Sequence, residues 1–220
     1  MLDFATARRM MVDGQVRTMD VTDPRLIAAM LNVPRERFVP PSKTALAYLD
    51  RDVPVADDNT SRRLLKPMVL AKLAQAAEIR AGDVVLDVGC ATGYSSAVLA
   101  QLAGEVVALE EDSSLAKQAE QNLAALGVRN VSIVCGPLAA GWGERAPYDV
   151  IVLNGASEVV PKGLCDQLRN GGRFVCVLGC APAAKATVFR RGSGETSGRP
   201  IFDAAAPVLP GFTKTQAFVF

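Results

Sequence analysis

The sequence predicts an α/β protein, a doubly wound and mainly parallel sheet preceded by an N-terminal helical extension. Three observations carry that prediction. The apolar run Val84-Val85-Leu86 ends in an acid, Asp87, and leads into a turn with glycines at 89 and 93. A helix-period segment follows, and a second apolar run then ends in Glu110, 21 residues after Gly89. Beyond it, strand-like runs keep alternating with helical patterns, as parallel strands covered on both faces require.

The elements follow in order. Apolar residues recur loosely at helical spacing over residues 4–16, and Asp23-Pro24 is a strong helix start, with Asp as N-cap and Pro at the first helical position. That second helix, over 25–31, runs into Val33-Pro34-Arg35-Glu36-Arg37-Phe38-Val39-Pro40-Pro41, where the prolines impose an extended or turning path. A helix with a wide apolar face starts near Pro67. After it the pattern predicts strands over 84–88, 106–110, 131–135, 148–153 and 174–178, with helices over 94–102, 113–126 and 162–168. In the tail, apolar runs at 186–189 and 216–220 flank a Gly/Ser/Pro-rich loop over 192–200 and predict an antiparallel pair closing one edge.

The turn after the first strand indicates a ligand. A glycine loop between a strand and a helix exposes bare backbone, and an acid at the end of the next strand is placed to hold two ribose hydroxyls, so the ligand is read as a nucleoside. A dinucleotide fingerprint would carry a second glycine where this chain has Ala91, and Asp87 beside the loop would repel a pyrophosphate. S-adenosylmethionine is cationic and has no phosphate, and it is the ligand favoured here; a nicotinamide or flavin dinucleotide is the alternative. The loop residues Asp87, Gly89, Cys90, Ala91, Gly93 and Tyr94, with Glu110, form the candidate cofactor site.

Composition bounds the rest. In 220 residues, half are apolar, enough for a sizeable core, and the net charge of +1 gives no electrostatic case for nucleic acid. No apolar run approaches the ~18 residues of a membrane span, and the N-terminus lacks a signal-peptide pattern, so a cytoplasmic protein is expected. The five cysteines contain no C-x-x-C pair, and the chain has no histidine, which excludes Ser-His-Asp and Cys-His nucleophilic catalysis.

Extension and loop together resemble the protein-L-isoaspartate O-methyltransferase family. The carrying segments are Met10-Met11-Val12-Asp13-Gly14-Gln15-Val16 with Asp20, the Val33 to Pro40 run, Ala47-Tyr48-Leu49-Asp50, Val53-Pro54-Val55 and the loop from Asp87 to Tyr94. Ala146-Pro147-Tyr148-Asp149-Val150-Ile151-Val152, Val160-Pro161-Lys162-Gly163-Leu164 and Gln167-Leu168-Arg169-Asn170-Gly171-Gly172-Arg173 follow in the family's order. The resemblance implies a seven-stranded S-adenosylmethionine-dependent methyltransferase fold and an enzyme that esterifies the abnormal carboxylate of isoaspartyl residues in damaged proteins. Its partners would be protein or peptide substrates, without nucleic acid or membrane. Residues 1–66 are then the helical extension and substrate-side wall, and 67–220 the Rossmann-like methyltransferase domain.

Three departures qualify this. The family's G-Q-T-I-S-Q-P type segment, whose Thr and Ser hydroxyls line the active site, reads Ser61-Arg62-Arg63-Leu64-Leu65-Lys66-Pro67 here. Arg63 and Leu65 stand at the two hydroxyl positions. Where the family has Gly-Asp-Gly near the adenine, this chain has Gly136-Pro137-Leu138, and Pro137 supplies neither a side-chain acceptor nor an N–H. Asn154-Gly155-Ala156 replaces the common Thr-Ala-Ala after the fourth strand. The resemblance assigns the adenine side to Pro137 and Leu138 and the reaction side to Arg63, Leu65 and Asn154, and an arginine, Arg62 or Arg63, can replace the hydroxyls as a bidentate carboxylate clamp. Besides isoaspartyl methylation, two readings stay open: a methyltransferase moved to another substrate, and a cofactor-binding protein that acts through partners without catalysis.

Overall fold

Asp3 caps the first helix, α1 (Phe4–Met11), by accepting from the N–H groups of Ala5 and Thr6; the computed structural model describes residues 3–57 and 62–214 of the chain. The helix expected to run to residue 16 changes character at Val12, where a wider π-helical turn, Val12–Val16, carries Gly14 through it. Asp23 and Pro24 open α2 (Pro24–Asn32) as their residue types predict. Two 3-10 turns then lead into a two-stranded ribbon of β1 (Val53–Pro54) and β2 (Arg63–Leu64), followed by α3 (Pro67–Ala76).

The main sheet is built from β3 (Val84–Val88), β4 (Glu105–Glu110), β5 (Val131–Cys135), β6 (Tyr148–Ser157), β7 (Leu168–Leu178), β8 (Lys185–Arg191) and β9 (Thr196–Asp203). Their order across the sheet is β5-β4-β3-β6-β7-β8-β9. The first five are parallel and the last two antiparallel, so the direction of winding reverses at β3, between β4 and β6. Helices α4 (Tyr94–Leu99), α5 (Ser113–Ala125) and α6 (Lys162–Cys165) make crossovers. A ligand crevice belongs at such a switch point, beyond the carboxyl ends of the strands.

Boundaries differ from the sequence reading where tertiary pairing overrides local pattern. The chain reverses at Ala103-Gly104, whose glycine N–H donates to the Asp83 carbonyl at 3.0 Å, so α4 is shorter than 94–102. β6 runs on to Ser157 because Ala156 and Ser157 still pair with Val177 and Leu178 of β7. β7 begins at Leu168, six residues before its apolar run, and leaves α6 a single turn. In the tail, the predicted loop over 192–200 contains the start of β9, and β9 is the strand paired with β8; residues 216–220 lie outside the described part.

Extension and sheet share one core. Met11, Val16, Leu26, Met30 and Phe38 are buried in the same cluster as Val69, Leu73, Val85, Tyr94 and Val98. Two polar contacts then tie the extension to the glycine loop. Thr92 donates its hydroxyl to the Phe38 carbonyl at 2.6 Å, and the buried Arg35 guanidinium lies 4.7 Å from the centre of the Tyr94 ring. Arg35 also donates to the carbonyls of Ala47 and Leu65, each at 2.7 Å, which fixes the wall segment relative to that ring.

Candidate active site

The loop joining β3 to α4 folds tightly because three of its residues take left-handed conformations: Gly89 at φ +77°, Ala91 at +51° and Gly93 at +94°. Glycine takes these angles freely, whereas an alanine there needs fixing. The Ala91 N–H donates to a Glu110 carboxylate oxygen at 2.7 Å, and the Gly89 and Cys90 N–H groups both reach the Leu109 carbonyl. The loop is therefore pinned to the end of β4. A Cβ on Gly93 would stand a tight 3.2 Å from that of Ala119, so the close approach of α5 adds to the preference for glycine there.

Two carboxylates end β3 and β4, and both are buried. Asp87 accepts from the hydroxyls of Ser95 (2.8 Å) and Ser96 (2.6 Å) on α4, and from the side-chain amide of Asn154 on β6. Burial pushes its carboxyl up to about 6, against the three donors that favour the charged form, with the Glu110 charge adding to the rise. Burial beside these two acids also drives the Cys90 thiol well above its usual range, so the thiol is inert packing.

Glu110 is differently provided. It accepts from Arg62 Nη2 at 2.6 Å and Nε at 3.3 Å, and from the N–H groups of Ala91, Glu111 and Asp112. Five donors exhaust the lone pairs of a carboxylate. The Arg62 guanidinium, nearly as buried as its partner, spans from Glu110 to Gly89. An ideal Cβ on Gly89 would come within 2.9 Å of both Arg62 Nη2 and Leu209 Cδ1. Leu209 arrives there because the 207–209 segment adds to the far end of β6: the Ala156 N–H donates to the Pro207 carbonyl, and the Leu209 N–H to that of Ala156. Gly155 has no side chain to oppose it, since its Cβ would meet Leu209 at 2.5 Å. The space left among Arg63, Leu65, the loop and Asn154 is about 10 Å³.

The remaining predicted residues divide. Arg63, Leu65, Gly89, Cys90, Ala91, Tyr94 and Asn154 all border that small cavity. Asn154 is engaged with Asp87, and the Tyr94 ring packs edge-on to Phe38 at 5.5 Å as well as under Arg35. Pro137 starts a 3-10 turn whose Leu138 is wholly buried under β4 and β6, while the neighbouring Gly136 lies against the Trp142 ring. Three participants were not singled out from the sequence. Ser95 and Ser96 carried a signal, as two polar residues opening a helix that is otherwise apolar. Leu209 carried none, because no local pattern tells that a tail segment returns to the switch point.

A glycine loop at the switch point, an acid ending the neighbouring strand and five parallel strands followed by an antiparallel pair define the fold class of S-adenosylmethionine-dependent methyltransferases. The loop backbone and the Glu110 carboxylate are the groups that the adenosyl part of such a cofactor would meet, and the side chains of Arg62 and Leu209 occupy the space beside them. The family profile of protein-L-isoaspartate(D-aspartate) O-methyltransferase matches residues 7–203, and the chain belongs to that family. It is 42% identical over 169 residues to a protein-L-isoaspartate O-methyltransferase of Gloeobacter violaceus, covering 77% of this chain and 81% of that one. The Methanoculleus marisnigri protein of the same name is 39% identical over 192 residues, 86% of each chain. Among solved structures, a protein-L-isoaspartate O-methyltransferase superposes with a TM-score of 0.79 at 25% identity, over 94% of this chain and 65% of that chain. A Plasmodium falciparum structure described as a complex with S-adenosyl-L-homocysteine shares the fold, with a TM-score of 0.74 at 16% identity over 95% of this chain and 99% of that chain.

Proposed function

We propose that this chain transfers a methyl group from S-adenosylmethionine to the side-chain carboxylate of isoaspartyl residues in protein or peptide substrates. Membership of the family carries the reading, and the pairing of glycine loop with Glu110 supports it at the site. The cofactor supplies an electrophilic methyl on a sulfonium. A substrate carboxylate is already ionised near pH 7, so no general base is needed and a site without histidine suffices. What the protein contributes is position and dryness. Gly89, Ala91 and Gly93 present backbone to the cofactor, Glu110 holds its ribose, and Pro137 and Leu138 border its adenine. Residues 1–66 wall the substrate side through Arg63 and Leu65, with Asn154 at the junction; residues 67–220 form the methyltransferase unit. All five cysteines are free, which suits the cytoplasm.

One observation favours a second reading. Leu65 is 3% exposed and gives the wall an aliphatic side chain, which cannot orient a carboxylate. A methyltransferase of the same fold moved to another acceptor would carry such a wall. Labelled methyl transfer to an isoaspartyl peptide, run beside the aspartyl peptide of the same sequence, tests the two. Transfer confined to the isoaspartyl form is the outcome our reading requires; no transfer to either, with cofactor binding intact, gives the chain to the second.

A further inference from the structure

The segment over 207–214 delivers one apolar side chain to the switch point, and it does so on a stiff support. Leu209-Pro210-Gly211-Phe212 is a tight turn closed by the Phe212 N–H on the Leu209 carbonyl at 3.1 Å. Pro210 fits its second position, and Gly211, at φ +81°, takes the left-handed angle that a type II turn demands at the third. Phe212 is buried with Leu86, Val88 and Leu153 and anchors the turn to one face of the sheet. Glu158 fastens the far side: its N–H donates to the Phe212 carbonyl at 2.9 Å, and its carboxylate accepts from the Lys214 N–H at 2.6 Å. Leu209 is therefore a placed side chain.

Its place is a corner between two adjacent strands. Val88 of β3 pairs with Leu153 of β6, so Gly89 and the Asn154-Gly155 pair stand side by side just beyond. Leu209 lies against both glycines, and a Cβ would meet it at 2.9 Å from Gly89 and at 2.5 Å from Gly155. Gly155 has no left-handed angle to explain it, so the missing side chain there serves space alone. Across the sheet in the order β5-β4-β3-β6, Pro137 and Leu138 follow β5, Glu110 ends β4 and Gly89 follows β3. With the adenine beside Pro137 and Leu138 and the ribose on Glu110, as proposed above, the sulfonium arm of S-adenosylmethionine continues toward β3 and β6. Leu209 stands there.

We infer that Leu209 is a specificity-determining residue that sets the size of the group carried on the cofactor's sulfonium: it fills the corner between β3 and β6 and leaves room for a methyl. An isobutyl side chain offers no hydrogen bond, so it acts through volume alone. The inference rests on the reading above and adds to it the residue that limits the transferred group.

Titration calorimetry with S-adenosylmethionine and with S-adenosylethionine, which differ by one methylene on sulfur, tests it through binding. The wild type should bind the methyl compound at least about tenfold more tightly, the discrimination that one methylene in a packed pocket supports. In Leu209→Ala the ratio should fall to within about twofold, chiefly because the ethyl compound gains, with Leu209→Val between the two. Gly155→Ala should widen the ratio by pressing Leu209 toward Gly89, and should leave it unchanged when Leu209 is already alanine. A residue that only packs would weaken both compounds together. An unchanged ratio in Leu209→Ala overturns the inference, as does a Gly155→Ala effect of equal size in both backgrounds. The wild-type measurement stands whether or not the variants fold, and equal affinity for the two compounds overturns the inference by itself. Binding of neither compound by wild type or variants would remove the methyltransferase reading, and this inference with it.

Discussion

Two arginine–carboxylate pairs lie buried at opposite ends of the sheet, and they are nearly identical in geometry. At the carboxyl end Arg62 meets Glu110 at 2.6 Å, and at the amino end Arg173, in β7, meets Asp83, just before β3, at 2.5 Å. What surrounds each pair differs. Arg173 sits inside a central strand and also donates to the carbonyls of Ala77 and Glu78 past the end of α3, so it clamps helix to sheet. Arg62 precedes a two-residue strand and reaches across to a carboxylate that keeps three backbone donors without it. A buried ion pair therefore fastens helix to sheet in one setting, and in the other joins the 62–65 segment to a carboxylate that backbone donors also hold. The networks around the charges decide, more than the pair distance.

The comparison breaks most readily at the amino end. Arg173→Ala strands Asp83 without its charge partner and leaves two carbonyls unsatisfied, and should cost about 3–5 kcal/mol in chemical denaturation. A loss no larger than that of Arg62→Ala would show that the two pairs are equivalent after all. For Arg62→Ala the expected cost is smaller, about 2 kcal/mol, because Glu110 retains three backbone donors.

Between these extremes come the two acids. Asp87 has a folded-state value raised to about 6 above an ordinary 3.8, so its stabilising contribution is complete below the unfolded value and is lost as pH rises through about 6. Wild-type stability should fall relative to Asp87→Asn by about 2–3 kcal/mol between pH 4 and pH 7. Parallel pH profiles for the two chains would show that the three donors already hold Asp87 ionised. Glu110→Ala should weaken S-adenosylhomocysteine binding by about 1–3 kcal/mol through lost charge-assisted bonds to ribose. Unchanged affinity in a folded variant would take the ribose away from the end of β4.

Much of this was legible from local pattern. The strands at 84–88 and 131–135 match their predicted bounds, because short runs rich in Val and Ile flanked by turns leave little freedom. The meeting of the glycine loop with Glu110 was readable too, because both belong to one strand–helix–strand unit. β9 was missed because Gly194, Gly198 and Pro200 read as a loop, while the pairing that makes it a strand comes from β8. Arg62 was in view as a candidate clamp, yet its partner lies 48 residues away and no periodicity links the two. Leu209 is the extreme case, placed by a backbone bridge to Ala156 that only the folded sheet defines.

The contacts by which Thr92 and Tyr94 grip Phe38 and Arg35 bear on how such a chain can diversify. The N-terminal extension and the glycine loop are riveted together by these contacts, one of them made by Tyr94 at the border of the small cavity. A recombination event that replaced the first forty residues with those of a distant relative would leave a buried tyrosine ring without its lid and a buried threonine hydroxyl without its carbonyl. Point changes in the 62–65 segment, unlike an exchange of whole modules, leave those contacts in place.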